Sequence, residues 1–309
     1  MRIVFWGTPD FATSPLRALI GEGFDVVGVI TQPDRPRGRS HSQLDPSPVK
    51  IVAMEEGIPV LQPERPRGPE FVQALRDLAP DLSVVVAYGH ILPREVIDLP
   101  ARGTLNIHAS LLPKLRGAAP IQAAIAGGLE ETGVTIMRMV PALDAGPVMH
   151  TLTTPIFADE TGGELTLRLS ELGATALLEA LALMEFGEAA EHPQDDAQAT
   201  YAGKIEREHV RIDWTASAAV VARRIRAYDP KPGAWSVLGG TEVRLFGARA
   251  ITDRAGAPGE VLETDELGVI IACGEGAVAI KEVHPAGRRR MAALDWAQGR
   301  GVSVGNRWE

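Results

Sequence analysis

Short runs of β-branched and aliphatic residues alternate with longer stretches of helical period through the first 150 residues of the chain. The apolar runs at 3–6, 26–30, 82–87, 104–108 and 134–139 predict strands, and the stretches at 14–21, 48–56, 69–78, 120–126 and 163–186 predict helices. Strand and helix in alternation give parallel strands joined by crossover helices, an α/β domain of the Rossmann-like kind. The run Val84, Val85, Val86, Ala87 has the character of a central strand covered on both faces. Ligands in such sheets sit past the carboxyl ends of the strands, where residues 7–9, 87–90 and 106–108 all fall.

The pattern then changes. Residues 188–199 are acidic and rich in Ala and Gln, with His192 and Pro193 adjacent, and read as a linker. Beyond them one helix, 216–227, precedes five short strands at 234–238, 242–250, 259–263, 268–272 and 277–283, separated by glycine-rich turns. Five strands at this spacing suit a smaller carboxy-terminal β-barrel of the oligonucleotide-binding kind. The expected division is a domain at 1–187, a linker at 188–203 and a barrel domain at 204–309.

Composition narrows the function classes. A chain of 309 residues with 45% hydrophobic positions can bury two cores. Its one cysteine, Cys273, excludes an internal disulfide or a multi-cysteine metal site, and lies in an apolar run as a small buried residue would. His150, His192, His209 and His284 are scattered without ligand spacing, so no metal is expected. No segment approaches the roughly 18 apolar residues of a membrane span, and a soluble cytoplasmic protein is expected. The net charge of −9 argues against a general nucleic-acid binder. The charge is uneven, however: residues 1–203 hold 15 Lys and Arg against 26 Asp and Glu, and residues 204–309 hold 16 against 14. A local basic surface suits a selective RNA substrate; an ordinary solvated surface accounts for the same asymmetry.

Asn106 and His108 stand two apart on a predicted strand, so their side chains share one face. A carboxamide beside an imidazole suits acyl transfer between nitrogens, where an oxyanion needs a donor and the attacking amine must lose a proton. Asp144 supplies a carboxylate that can orient the ring or raise its basicity. In isolation the triplet also reads as a strand-end histidine capping backbone groups. A dinucleotide site at residues 7–10 is disfavoured, because the Gly-x-Gly-x-x-Gly fingerprint is absent and Pro9 removes a backbone donor.

The longer string at 106–117, Asn-Ile-His-Ala-Ser-Leu-Leu-Pro-Lys-Leu-Arg-Gly, with Glu131, Thr132, Gly133, Val134, Thr135 and the Leu-Asp-Ala-Gly at 143–146, closely resembles the formyltetrahydrofolate-dependent transferases. Residues 5–11, 31–36, 228–235 and 285–291 extend the likeness over nearly the whole chain, toward the members of that family that formylate an aminoacyl-tRNA. The resemblance implies transfer of a formyl group from 10-formyltetrahydrofolate to the α-amino group of methionyl initiator tRNA, with Asn106, His108 and Asp144 catalytic. It implies a folate site at Tyr88, Gly89, His90, Ile91 and Leu92 and at Ser110, Leu111, Leu112 and Pro113, with Asp144 beside it and a cis bond before Pro113. His90 departs from the family pattern, which has an apolar or amide residue there, and Leu115 replaces the usual Tyr or Trp.

The same resemblance implies tRNA contacts at Arg35, Arg37, Arg39 and Lys50, in and after a basic loop stiffened by prolines, and at Arg223, Arg224, Lys231, Arg288 and Arg289 in the second domain. Residues 40–43, Ser-His-Ser-Gln, lie where this loop commonly carries lysines, which weakens its electrostatic pull. Read without the resemblance, the loop is an ordinary surface loop. A monomer is expected. An amino sugar nucleotide is the nearest rival acceptor, and a folate- or RNA-binding protein with a degenerate site is the rival of another class. The basic loop and the Pro-Lys-Pro-Gly-Ala-Trp segment favour tRNA; the intact Asn106, His108 and Asp144 disfavour the degenerate protein.

Overall fold

A computed structural model of the chain describes residues 1–37 and 43–309. Two compact units emerge. The first comprises Met1–Gly117, Thr132–Thr154 and Thr166–Tyr201; the second comprises Ala118–Glu131, Pro155–Leu165 and Ala202–Glu309. Among the described residues no helix is long and apolar enough to cross a membrane.

In chain order the strands of the first part are β1 (Arg2–Gly7), β2 (Asp25–Ile30), β3 (Arg35–Arg37), β4 (Gln43–Asp45), β5 (Val60–Leu61), β6 (Leu82–Val86), β7 (Thr104–His108), β8 (Glu131–Arg138) and β9 (Val148–Pro155). The helices are α1 (Thr13–Gly21), α2 (Pro48–Glu55), α3 (Pro69–Asp77), α4 (Arg94–Ile97), α5 (Pro120–Gly127) and α6 (Gly162–Phe186). Seven strands form one sheet in the order β5-β2-β1-β6-β7-β8-β9, while β3 and β4 pair as a separate hairpin. β1 lies between β2 and β6, parallel to both, and five of its six residues are buried. Gly7 pairs with Val86, and Val85 with Asn106, so β1, β6 and β7 end at one edge of the sheet. The five expected strands and five expected helices all form; β8 begins three residues earlier than its apolar run and pairs antiparallel with β7.

Burial of Val4, Trp6, Ile30, Leu75, Val85 and Tyr88 builds one face's core. Each such side chain contributes about 1.5–3 kcal/mol. Trp6 satisfies its buried Nε1–H on the Ser83 hydroxyl at 3.2 Å. On another stretch of the sheet, α6 comes close because residue 173 is glycine: a Cβ there would stand 3.1 Å from Ile107 Cγ2. That contact occupies the side chain of Ile107 and leaves Asn106 and His108 to the opposite face.

The second unit adds β10 (Ala234–Leu238), β11 (Thr241–Ile251), β12 (Val261–Asp265), β13 (Gly268–Ala272), β14 (Ala277–Pro285) and β15 (Met291–Ala292), with α7 (Ala218–Ala227) and α8 (Ala293–Gln298). The sheet runs β10-β11-β14-β13-β12, all neighbours antiparallel. The last residues join its two edges: Trp308 bridges Leu238 of β10, and Arg307 bridges Glu260 just before β12. Trp308 also packs between Trp214 and Trp296, with ring centroids 6.1 Å away on each side. This closure, made by an irregular segment, is what turns five antiparallel strands into the barrel-like second unit.

Candidate active site

His108 leaves the end of β7 and is 5% exposed. Its Nε2 stands 3.0 Å from the carbonyl of Leu115, a pairing that places the proton of the neutral ring on Nε2. Nδ1 then presents its lone pair 3.7 Å from Oδ2 of Asp144. Both ring nitrogens thus face oxygen acceptors, and a ring that gains a proton has an acceptor for each N–H. Asn106, two residues earlier on the same face, is half-buried, and its carboxamide has no hydrogen-bond partner among the described residues.

Asp144 reaches His108 from the turn between β8 and β9. It sits at φ +47°, a left-handed conformation that aspartate tolerates better than most side chains. Its Oδ2 accepts the backbone N–H of Gly117 at 2.8 Å. Gly146 closes the turn against β8, where a Cβ would fall 1.8 Å from the Arg138 carbonyl oxygen. The Thr-Gly-Val-Thr run has a parallel account. A Cβ on Gly133 would meet the Leu152 carbonyl oxygen at 2.1 Å and Leu111 at 2.5 Å. The Thr135 hydroxyl donates to the Ser110 carbonyl at 2.7 Å and accepts from the Leu112 N–H at 3.2 Å, fixing the loop after β7. The Leu112–Pro113 bond is cis.

The loop after β6 divides its residues between two roles. Gly89, His90 and Ile91 follow β6 at the sheet's carboxyl edge and are exposed, Ile91 at 81%. Tyr88 and Leu92 are 2% exposed and belong to the core. The Tyr88 ring meets Trp6 edge-on at 5.3 Å, its hydroxyl has no hydrogen-bond partner among the described residues, and burial pushes the phenol up to about 12. Its carbonyl accepts from Thr8 at 3.2 Å and Gln32 at 3.1 Å, and its ring also meets the tilted His90 ring at 5.8 Å. Leu111, Leu112 and Pro113 are half-buried, and Ser110 is buried with its hydroxyl on the Lys114 carbonyl at 2.6 Å.

The basic residues separate similarly. Arg35 and Arg37 begin and end β3, which pairs with β4, so what reads as a loop begins as a hairpin; Arg39 lies outside the described residues. Arg35 is exposed. Lys50, in the first turn of α2 beneath the Ser47 cap, binds Asp34 at 2.5 Å and Gln62 at 2.7 Å. That pair, Lys50 first and Gln62 second, holds the Asp34 carboxyl below its ordinary range. Arg224 donates to the His209 carbonyl, and Arg223 packs on Gly128 at the end of α5. Lys231, Arg288 and Arg289 are exposed. Their two turns are tied by the ion pair of Arg290 with buried Asp229 at 3.1 Å.

Three contributors escape the sequence reading: Arg116, Gln194 and Thr200. Leu115 N–H donates to Thr200 Oγ1 at 2.9 Å, and Arg116 N–H to the Thr200 carbonyl at 2.9 Å. The stretch that is linker-like in composition therefore supplies hydrogen bonds beside the site.

Residues 1–181 match the family model described as formyl transferase, and residues 204–301 match that described as the formyl transferase C-terminal domain. The chain is 47% identical over 300 residues to the methionyl-tRNA formyltransferase of Marinobacter nauticus, covering 97% of this chain and 96% of that one. It is 45% identical over 306 residues to that of Magnetococcus marinus, covering 99% and 97%. Among solved structures, HypX from Aquifex aeolicus in complex with tetrahydrofolic acid is similar at a TM-score of 0.68 and 25% identity, over 98% of this chain and 48% of that one. With both family domains matched in order and full-length relatives at 45–47% identity, the chain belongs to the formyl transferase family.

Proposed function

We propose that this chain transfers a formyl group from 10-formyltetrahydrofolate to the α-amino group of methionyl initiator tRNA, as methionyl-tRNA formyltransferases do. The observation that carries the reading is the unpartnered carboxamide of Asn106 beside His108, in a chain alike to those enzymes over nearly its whole length.

The residues present suit the donor. Gly89, exposed His90 and Ile91, and half-buried Leu111, Leu112 and Pro113 offer backbone groups and apolar walls at the carboxyl edge of the sheet. The donor supplies a formyl carbon already activated by a good leaving nitrogen. Asn106 donates to the oxyanion that develops on the formyl oxygen as the amine adds. Nδ1 of His108 takes the amine proton, and the resulting imidazolium directs one N–H at Leu115 and the other at Asp144. That proton then serves the departing nitrogen.

In this reading residues 1–187 are the catalytic domain, 188–203 the linker and 204–309 the tRNA-binding barrel. Arg35, Arg37 and Arg39 contact the acceptor end, and Lys231, Arg288 and Arg289 contact backbone phosphates. Lys50 and Arg224, already engaged within the protein, contribute mainly through the segments they hold, and Arg223, whose charge is paired with no described group, contacts a backbone phosphate. The enzyme works in the cytoplasm as a monomer.

The test is transfer of labelled formyl from 10-formyltetrahydrofolate to methionyl initiator tRNA, beside methionyl elongator tRNA and an amino sugar nucleotide. Labelling of the initiator alone is expected. Labelling of the sugar alone would keep the chemistry and overturn the acceptor.

A further inference from the structure

Gln194 uses every hydrogen-bonding position it has. Its Oε1 accepts from Nε and Nη2 of Arg116 at 3.1 and 2.7 Å, and its Nε2 donates to the carbonyls of Asp144 and Gly146 at 2.8 and 2.7 Å. The opposite amide orientation would set donors against a guanidinium and an acceptor against two carbonyls, so the neighbours decide the assignment. Arg116 is 3% exposed, and its Nη2 also binds Oδ1 of Asp196 at 2.8 Å, which keeps the buried charge paired.

The backbone of the same stretch grips the catalytic pair directly. Leu115 offers its carbonyl to His108, and Gly117 offers its N–H to Asp144. Between them, the side chain of Arg116 reaches through Gln194 to the far side of the Asp144 turn. Three consecutive residues thus hold His108 and Asp144 from the front and the Asp144 backbone from behind. Asp144 has particular need of this, because a non-glycine residue at φ +47° persists only where its surroundings determine its conformation.

We propose that Gln194, itself held by Arg116 and Asp196, is a positioning residue that sets the Asp144 backbone so that the carboxylate faces Nδ1 of His108. The inference rests on the roles given above to His108 and Asp144. A segment with the composition of a linker is thereby a working part of the site.

Gln194→Glu tests it, because glutamate retains the volume and both bonds from Arg116 while removing both donors to the turn. The single-turnover rate should fall about tenfold to a hundredfold, as for a small misplacement of a catalytic group. The KM for tRNA should stay within about threefold, a change confined to the chemical step. In an Asp144→Asn background the same substitution should cost less than about twofold more, since the group it positions is already lost. Gln194→Met, which lacks every hydrogen bond, should lose activity in the same way and stands in if the glutamate variant does not fold.

Wild-type rates in both variants would overturn the proposal. So would an equal loss with and without Asp144, the mark of an independent structural role. A wild-type enzyme that formylates no methionyl-tRNA would instead overturn the functional reading, and that assay precedes the variants.

Discussion

The backbone N–H of Gly117 donates to Oδ2 of Asp144 at 2.8 Å, joining the end of one sequence motif to the middle of another 27 residues later. Asp144 therefore faces His108 because two loops are locked together, and neither loop alone would place it.

Gly146→Ala probes that lock. The added Cβ would fall 1.8 Å from the carbonyl oxygen of Arg138, a backbone atom of β8 that cannot withdraw without disturbing the strand. Overpacking of this kind costs about 1–3 kcal/mol. The melting temperature should fall by about 2–4 °C per kcal/mol, and kcat should fall with it as the turn is displaced. A variant with unchanged kcat would show that the geometry of the Asp144 turn is not limiting.

Tyr88→Phe separates pocket from core. The hydroxyl is buried without a partner among the described residues, so removing it should leave the fold as stable or more stable, by up to about 1–3 kcal/mol. The KM for 10-formyltetrahydrofolate should not change. A raised KM would return Tyr88 to the folate site, where the family resemblance alone would put it.

Asp34 and Lys50 give a pH signature. The carboxyl of Asp34 is held below its ordinary value by Lys50 and then Gln62. A depressed value means that the pair stabilises the fold above the unfolded carboxylate value of about 3.9, and that this contribution is lost as pH falls through the lower, folded value. The difference in melting temperature between wild type and Lys50→Met should be full near neutral pH and shrink as acid is added below about pH 4. A difference independent of pH would contradict the pairing.

Lys231, Arg288 and Arg289 are exposed basic residues of two adjoining turns, while the neighbouring Arg290 is committed to Asp229. Replacing each with alanine should weaken tRNA binding and lower the slope of log affinity against log salt by about one for every phosphate that is no longer neutralised. Lys50→Met should leave that slope unchanged, because its charge is already committed to Asp34.

Much of this was legible in the sequence. β1 and β6 are mainly apolar on both faces and β7 follows them as a short run of alternating apolar and polar residues, so all three stand out, and their common edge followed from topology. β9 did not: from His150 on its residues alternate between half-buried and exposed, and its threonines give an edge strand the look of a loop. The short α8 and β5 offer too few residues for any period. Asn106, His108 and Asp144 could be singled out because each residue type suggests its chemistry, and the structure brings His108 and Asp144 to 3.7 Å. Gln194 was not, since an amide in an acidic, alanine-rich segment acquires meaning only from the groups it meets. Lys50 and Tyr88 carry the converse lesson, for residue type shows a charge or a ring but not whether the fold has already used it.

In the proposed mechanism formyl transfer depends most directly on Asn106, whose carboxamide, without a hydrogen-bond partner among the described residues, is assigned to the developing oxyanion. The decisive measurement is the single-turnover rate of formyl transfer to methionyl initiator tRNA, at saturating donor, for wild type and Asn106→Ala. A fall of about a hundredfold to a thousandfold with an unaltered melting temperature is expected. A variant that transfers formyl at the wild-type rate would contradict the assignment.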